Sequence, residues 1–92
     1  MWFLYIVRDK VDNLYTGVTT DIDRRINEHN RGKGGGYTQA HRPVRLVYQE
    51  LYRSQSKALK REAQIKRWSR QKKLALINGN KALLTKLSKS RD

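Results

Sequence analysis

The chain has 92 residues, no cysteine, 37% hydrophobic residues and a formal charge of +13. That length holds one small domain, the lack of cysteine excludes a disulfide framework or thiolate metal site, and the apolar start, residues 1–7, is too short for a membrane span and lacks the basic onset of a signal peptide. The charge is uneven: residues 1–52 carry 8 basic and 6 acidic side chains, whereas residues 53–92 carry 13 and 2, a polarity that goes beyond what solubility asks and favours a polyanionic partner, nucleic acid first. A soluble cytoplasmic protein is expected. No membrane partner is expected, because no helix joins basic residues to a bulky apolar face.

Phe3-Leu4-Tyr5-Ile6-Val7 and Leu14-Tyr15-Thr16-Gly17 are apolar, aromatic and β-branched runs on either side of the polar link Asp9–Asn13. They read as a β-hairpin. With a five-residue loop, Arg8 faces Leu14 and residues of equal parity share a sheet face, so Tyr5 and Tyr15 point the same way. Thr20 or Asp21 caps a helix from Ile22 to Asn30 that stops at Gly32. Its apolar stripe is Ile22 and Ile26, with Arg25 and His29 on one edge of the stripe.

Arg31–Gly36 is a flexible basic loop, with Lys33 placed to touch a backbone phosphate; its order is the reverse of a Walker loop. After irregular residues 37–43, Val44–Tyr52 forms a third strand, with Pro43 at its start. Ser54 or Ser56 opens a helix to about Trp68, whose core-facing arc is Ala58, Leu59, Ile65 and Trp68, with Glu62 inside the same arc. Ser69 caps a short helix ending at Asn78-Gly79. Asn80 caps a last one, with Ala82, Leu83, Leu84 and Leu87 on its apolar side. Residues 1–88 make a single domain and 89–92 a frayed tail.

Three features stand out. Two tyrosines share a sheet face, Arg25 and His29 edge a core-facing stripe, and Glu62 is the one acid between Glu50 and Asp92 in a strongly basic half. Each alone has a packing or solvation explanation.

Together they carry a resemblance. Phe3-Leu4-Tyr5 and Tyr15-Thr16-Gly17 resemble the paired half-motifs of the GIY-YIG endonuclease domain, the first half keeping its Tyr while Phe3 and Leu4 replace Gly and Ile. Residues 20–29 are similar to the family's helix, whose Arg and His are matched by Arg25 and His29. Lys57–Glu62 resembles the helix that supplies a metal-binding Glu. The likeness covers nearly the whole chain and is closest to the small, stand-alone bacterial subgroup, with Arg42-Pro43-Val44-Arg45-Leu46-Val47-Tyr48 and Lys66-Arg67-Trp68-Ser69-Arg70.

The resemblance implies an α+β fold, with a three-stranded antiparallel sheet flanked by helices and extra C-terminal helices. It implies a divalent-metal-dependent endonuclease acting on DNA, with one Mg²⁺ or Mn²⁺ held by Glu62. Arg25 would contact the scissile phosphate. A free phenol loses its proton near pH 10, so Tyr5 as base needs help from a neighbour. Tyr15 and His29 would orient water or phosphate, and which of the three is the base stays open. Lys57, Lys60, Arg61, Lys66, Arg67, Arg70, Lys72 and Lys73 would grip the backbone without reading bases. RNA is not excluded as substrate. A role in DNA repair or processing, with a protein partner for targeting, is expected. The rivals are a non-catalytic nucleic-acid-binding protein on the same fold and, further off, a basic ribosome-associated protein.

Overall fold

A computed structural model describes residues 1–32 and 41–89. The elements are β1 (Trp2–Arg8), β2 (Leu14–Thr19), α1 (Ile22–Asn30), β3 (Arg45–Tyr52), α2 (Gln55–Lys66), α3 (Arg70–Ile77) and α4 (Lys81–Ser88). The strands form an antiparallel sheet in the order β2-β1-β3, so the fold is the expected α+β class. The glycine-rich loop beyond Gly32, including Lys33, and the end of the tail, residues 90–92, lie outside the described residues.

The hairpin has the register that its loop length dictates: Arg8 faces Leu14, Val7 faces Tyr15 and Tyr5 faces Gly17. Its link is shaped by Asp9, whose Oδ1 accepts from the backbone N–H of Val11 at 2.9 Å and of Asn13 at 2.8 Å. Asp12 takes a left-handed conformation, φ 75°, which a short polar side chain tolerates better than most. β1 is the central strand, and its Leu4, Tyr5, Ile6 and Val7 are all buried. Leu4 and Ile6 pack with Ile65 of α2, Trp68 and Tyr48 on one face. Tyr5 and Val7 pack with Val44, Ile22 and Ile26 on the other. β3 is bulged, because Ile6 pairs with Tyr48 but Val7 with Leu46, leaving Val47 as the extra residue.

Each of these four helices is capped by a side chain: Asp21, Ser54, Ser69 and Asn80 each accept a first-turn backbone N–H. In α2, Ala58 and Ile65 are fully buried, but Leu59 is 43% exposed rather than part of the core arc. One residue is about 100° of rotation, and with Ala58 facing the sheet the neighbouring inward position on the other side goes to Arg61, which reaches Glu50 of β3. α4 packs on α3 and buries none of its residues. Leu83, Leu84 and Leu87 are half-covered, while Ala82, expected on the apolar side, is exposed.

α1 is tied to β3 by Asn30. Its Nδ2 donates to Val44 O at 3.2 Å and its Oδ1 accepts Val44 N–H at 2.7 Å. Val44 is buried, so Asn30→Ala leaves two buried backbone groups without partners. It should destabilise the fold by about 1–3 kcal/mol. Denaturant melts read this directly, and an Asn30→Ala protein as stable as the parent would show that the clamp does not matter.

Candidate active site

The odd-numbered face of β1 meets α1, and there the sheet buries a phenol. Tyr5 is 4% exposed and His29 5%. The Tyr5 hydroxyl lies 3.2 Å from His29 Nε2, and Arg25 Nε donates to it at 3.3 Å. The rings of Tyr5 and His29 meet edge-on, with interplanar angle 67°. Arg25 and His29 are one helical turn apart, which puts both on the side of α1 that faces the strand. Gly17 opposes Tyr5 in the ladder, and a Cβ there would come within 2.5 Å of the Tyr5 oxygen. The glycine is therefore what lets the phenol lie across β2.

Electrostatics reinforce the arrangement. Burial, then the neighbouring Arg25 charge, hold His29 below its ordinary value, against a smaller upward pull from Glu28. The Tyr5 hydrogen bond is the largest influence on Arg25 and keeps its guanidinium above its ordinary value. Arg25 also pairs with Glu28 at 3.4 Å and forms the accessible lip of the cluster, with its side chain 32% exposed.

The structure thus brings Tyr5, Arg25 and His29 together. Tyr15 shares their sheet face but turns its hydroxyl to Asp9 Oδ2, 2.9 Å away. Asp9 is buried. Burial alone would raise its carboxyl, but bonds from Asn13, Tyr15 and Val11 outweigh that and hold it below the ordinary carboxylate value. Asp9 does not stand out in the sequence, though an Asp opening a polar link is a candidate Asx turn, and its Oδ1 does accept the N–H of Val11 two residues on. Glu62 lies on α2, over the opposite sheet face, and meets Lys66 at 3.4 Å. No hydrogen bond or ion pair among the described residues joins it to Tyr5, Arg25 or His29. No group of three or more His, Cys, Asp or Glu among the described residues could hold a metal.

The cations of the basic half divide in two. Lys57, Lys60 and Arg67 are exposed, while Lys66 pairs with Glu62 and Arg70 with Asp12. Arg61 is engaged in the fold, its Nε and Nη2 both donating to Glu50, which also accepts the Tyr48 and Tyr52 hydroxyls. Burial, then the Glu50 bond, push the Tyr48 phenol up to about 12. Lys72 is buried, with Nζ 4.4 Å from the centre of the Trp68 ring. Lys73 is half-buried. The strand alternation Tyr48, Glu50, Tyr52 is the signal from which the Glu50 cluster is readable.

No helix among the described residues is long and apolar enough to cross a membrane. UPF0213 proteins of Staphylococcus aureus, for instance those of strains Mu50 and N315, are 55% identical over 75 residues, covering 82% of this chain and 92% of theirs. The solution NMR structure of a UPF0213 protein from Bacillus halodurans is 42% identical, with TM-score 0.55, over 85% of this chain and 84% of that one. The family model for the GIY-YIG catalytic domain matches residues 1–75. With the hairpin face and α1 arranged as described, the chain belongs to the GIY-YIG catalytic domain family, a family of nucleases.

Proposed function

We propose that the chain is a divalent-metal-dependent endonuclease that hydrolyses phosphodiester bonds in DNA largely without regard to sequence. The observation that carries this reading is the Tyr5 hydroxyl held between Arg25 and His29. Arg25 Nε–H occupies one lone pair of the phenol oxygen, which turns the hydroxyl hydrogen toward His29 Nε2. A nitrogen that accepts must be unprotonated, and the lowered pKa of His29 keeps it so. Tyr5 then takes a proton from an incoming water as its own passes to His29, with no free phenolate needed. The remaining Arg25 N–H groups bind the scissile phosphate and stabilise its growing negative charge.

Glu62 is the residue that would hold the metal. A lone carboxylate does not suit a zinc cage, but it fits Mg²⁺ or Mn²⁺, which keep several waters and take phosphate oxygens. Bound there, the ion would supply Lewis-acid polarisation of the phosphate. β2 is an edge strand of the sheet among the described residues, with α1 against one face of the sheet and α2 against the other. A phosphate against that edge is open to residues from both helices. The exposed cations of α2 supply grip on the backbone. Shape-directed DNA repair or processing, with a partner protein delivering the substrate, suits this chemistry.

The Lys66 pairing of Glu62 and the burial of Tyr5 favour a second reading, a non-catalytic nucleic-acid-binding protein on the same fold. One assay separates the two. Purified protein is incubated with Mg²⁺ or Mn²⁺ and plasmid, single-stranded, branched DNA or RNA, beside Glu62→Ala and Arg25→Ala. Cleavage lost in both variants with binding retained is the expected outcome. Cleavage of nothing, or cleavage indifferent to Glu62→Ala, would sink the enzyme.

Gly17→Ala should drive the Tyr5 hydroxyl away from Arg25 and His29, and lower cleavage on the order of a hundredfold while DNA binding persists. Single-turnover cleavage and a binding titration on the same preparation check it.

The pH dependence has a defined sign. Because His29 is held below its ordinary value near 6.5, its contribution to stability is fully present above about pH 6.5 and is lost as pH falls through the lowered value. The melting temperature should therefore fall between about pH 7 and pH 5, and His29→Gln should flatten that slope. Parallel slopes for parent and variant would assign the decline to other groups.

A further inference from the structure

Between the hairpin and α3 lies a cleft of about 270 Å³ lined by Asn13, Leu14, Tyr15, Arg70 and Lys73. Its polar walls are braced from behind. The Tyr15 hydroxyl and Asn13 Nδ2 both donate to Asp9 Oδ2, at 2.9 and 3.1 Å. With its hydroxyl engaged by Asp9, Tyr15 forms a fixed wall of the cleft. Arg70 Nη2 donates to Asp12 Oδ2 at 3.0 Å, which fixes a guanidinium whose side chain is still 47% exposed. The other Asp12 oxygen lies 3.0 Å from Arg8 Nε. Lys73, three residues after Arg70, is half-buried and has no ion-pair partner among the described residues.

The local charges are Arg8, Arg70 and Lys73 against Asp12 and the internally bonded Asp9, leaving an uncompensated cation at the cleft. A planar fork and a point-charge ammonium on one opening suit an anion with several oxygens. The position points to which anion. Tyr15 and Gly17 are two residues apart on the same face of β2, about 7 Å along the strand. Gly17 faces Tyr5, so a strand running along the β2 edge from the Tyr5 cluster would reach the cleft at Tyr15.

We propose that this cleft is a second phosphate subsite, taking another phosphodiester of the DNA strand that is bound at Arg25. The proposal rests on the DNA-binding part of the function above and not on turnover.

The test is binding of a short labelled single-stranded deoxyoligonucleotide in EDTA, followed by anisotropy across a NaCl series. Each lost phosphate contact lowers the slope of log K against log salt by about 0.7 for a single strand. Arg70→Gln/Lys73→Gln removes that one phosphate contact and should therefore reduce it by about 0.7. Lys81→Gln/Lys89→Gln, which removes the same charge from α4 and its end, should leave the slope nearly unchanged. Asp12→Asn breaks the Arg70 ion pair but keeps both cations, and should hold or tighten binding.

Equal slope losses in the two double variants, no loss in the first, or no DNA binding by the parent would overturn the subsite. So would an Asp12→Asn protein as impaired as Arg70→Gln/Lys73→Gln, since Arg70 would then act only by bracing the hairpin. A chain that binds as expected yet never cleaves defeats the nuclease and leaves the subsite standing. One that cleaves with an unchanged slope defeats the subsite alone.

Discussion

Burying a phenol in the central strand of a sheet obliges the fold to hydrogen-bond it. Tyr5 meets that demand across the layer interface, through Arg25 and His29 of α1. Much of the structure on that side follows from it. Gly17 lacks a Cβ where the ring must lie. Asp21 caps α1 at its first residues, and Asn30 ties its last residue to Val44, so the helix is held at both ends around the pair that reaches Tyr5. The other face of β1 has no such polar demand and packs apolar side chains against α2 and Trp68.

Two of the acids are placed so that they add little negative field to the surface. Asp9 is buried among its own loop's donors. Glu50 is enclosed by Arg61 and two tyrosine hydroxyls. For Glu50, burial pulls upward, but the Arg61, Tyr48 and Tyr52 bonds prevail and hold it below the ordinary carboxylate value. Arg61 and Lys72 also bracket the Trp68 ring, so part of the basic composition of α2 and α3 is internal cement. The exposed remainder is still strongly cationic, and it sits on elements that a rigid core holds in place. That gives a polyanion a fixed array to meet rather than a loose cloud of lysines.

The hairpin was legible because a five-residue link leaves little freedom of register and parity then assigns the faces. The helices were legible because Asp21, Ser54, Ser69 and Asn80 are local signals that act within one turn. The rotation of α2 was not. It depends on Glu50 and Arg61, eleven residues apart and on different elements, and a charged side chain reads from sequence as solvated until its partner is known. Leu59 was displaced from the core by that pairing. The same blindness hid Asp9, whose worth lies in four donors converging from the folded loop. At the site, strand parity gives Tyr5 and Tyr15 one face and helical spacing gives Arg25 and His29 one edge of α1, and it is the family resemblance that joins the two. The relation of Glu62 to them depends on how α2 lies across the sheet, which no local pattern encodes.

The altered first half-motif, Phe3-Leu4-Tyr5, gains a physical meaning from the fold. Leu4 is fully buried on the α2 side of the sheet, away from the phenol cluster. Phe3 is on the Tyr5 face but pairs with Thr19 and Leu51 toward the end of the strands. Leu4 therefore does packing work, where a change of apolar residue is tolerated if the volume is accommodated, and Phe3 lies outside both core clusters. The retained positions are those with polar or steric tasks: Tyr5 between its two partners, Tyr15 on Asp9, and Gly17 beneath the ring. A substitution pattern divided along that line leaves the chemical face of the hairpin intact.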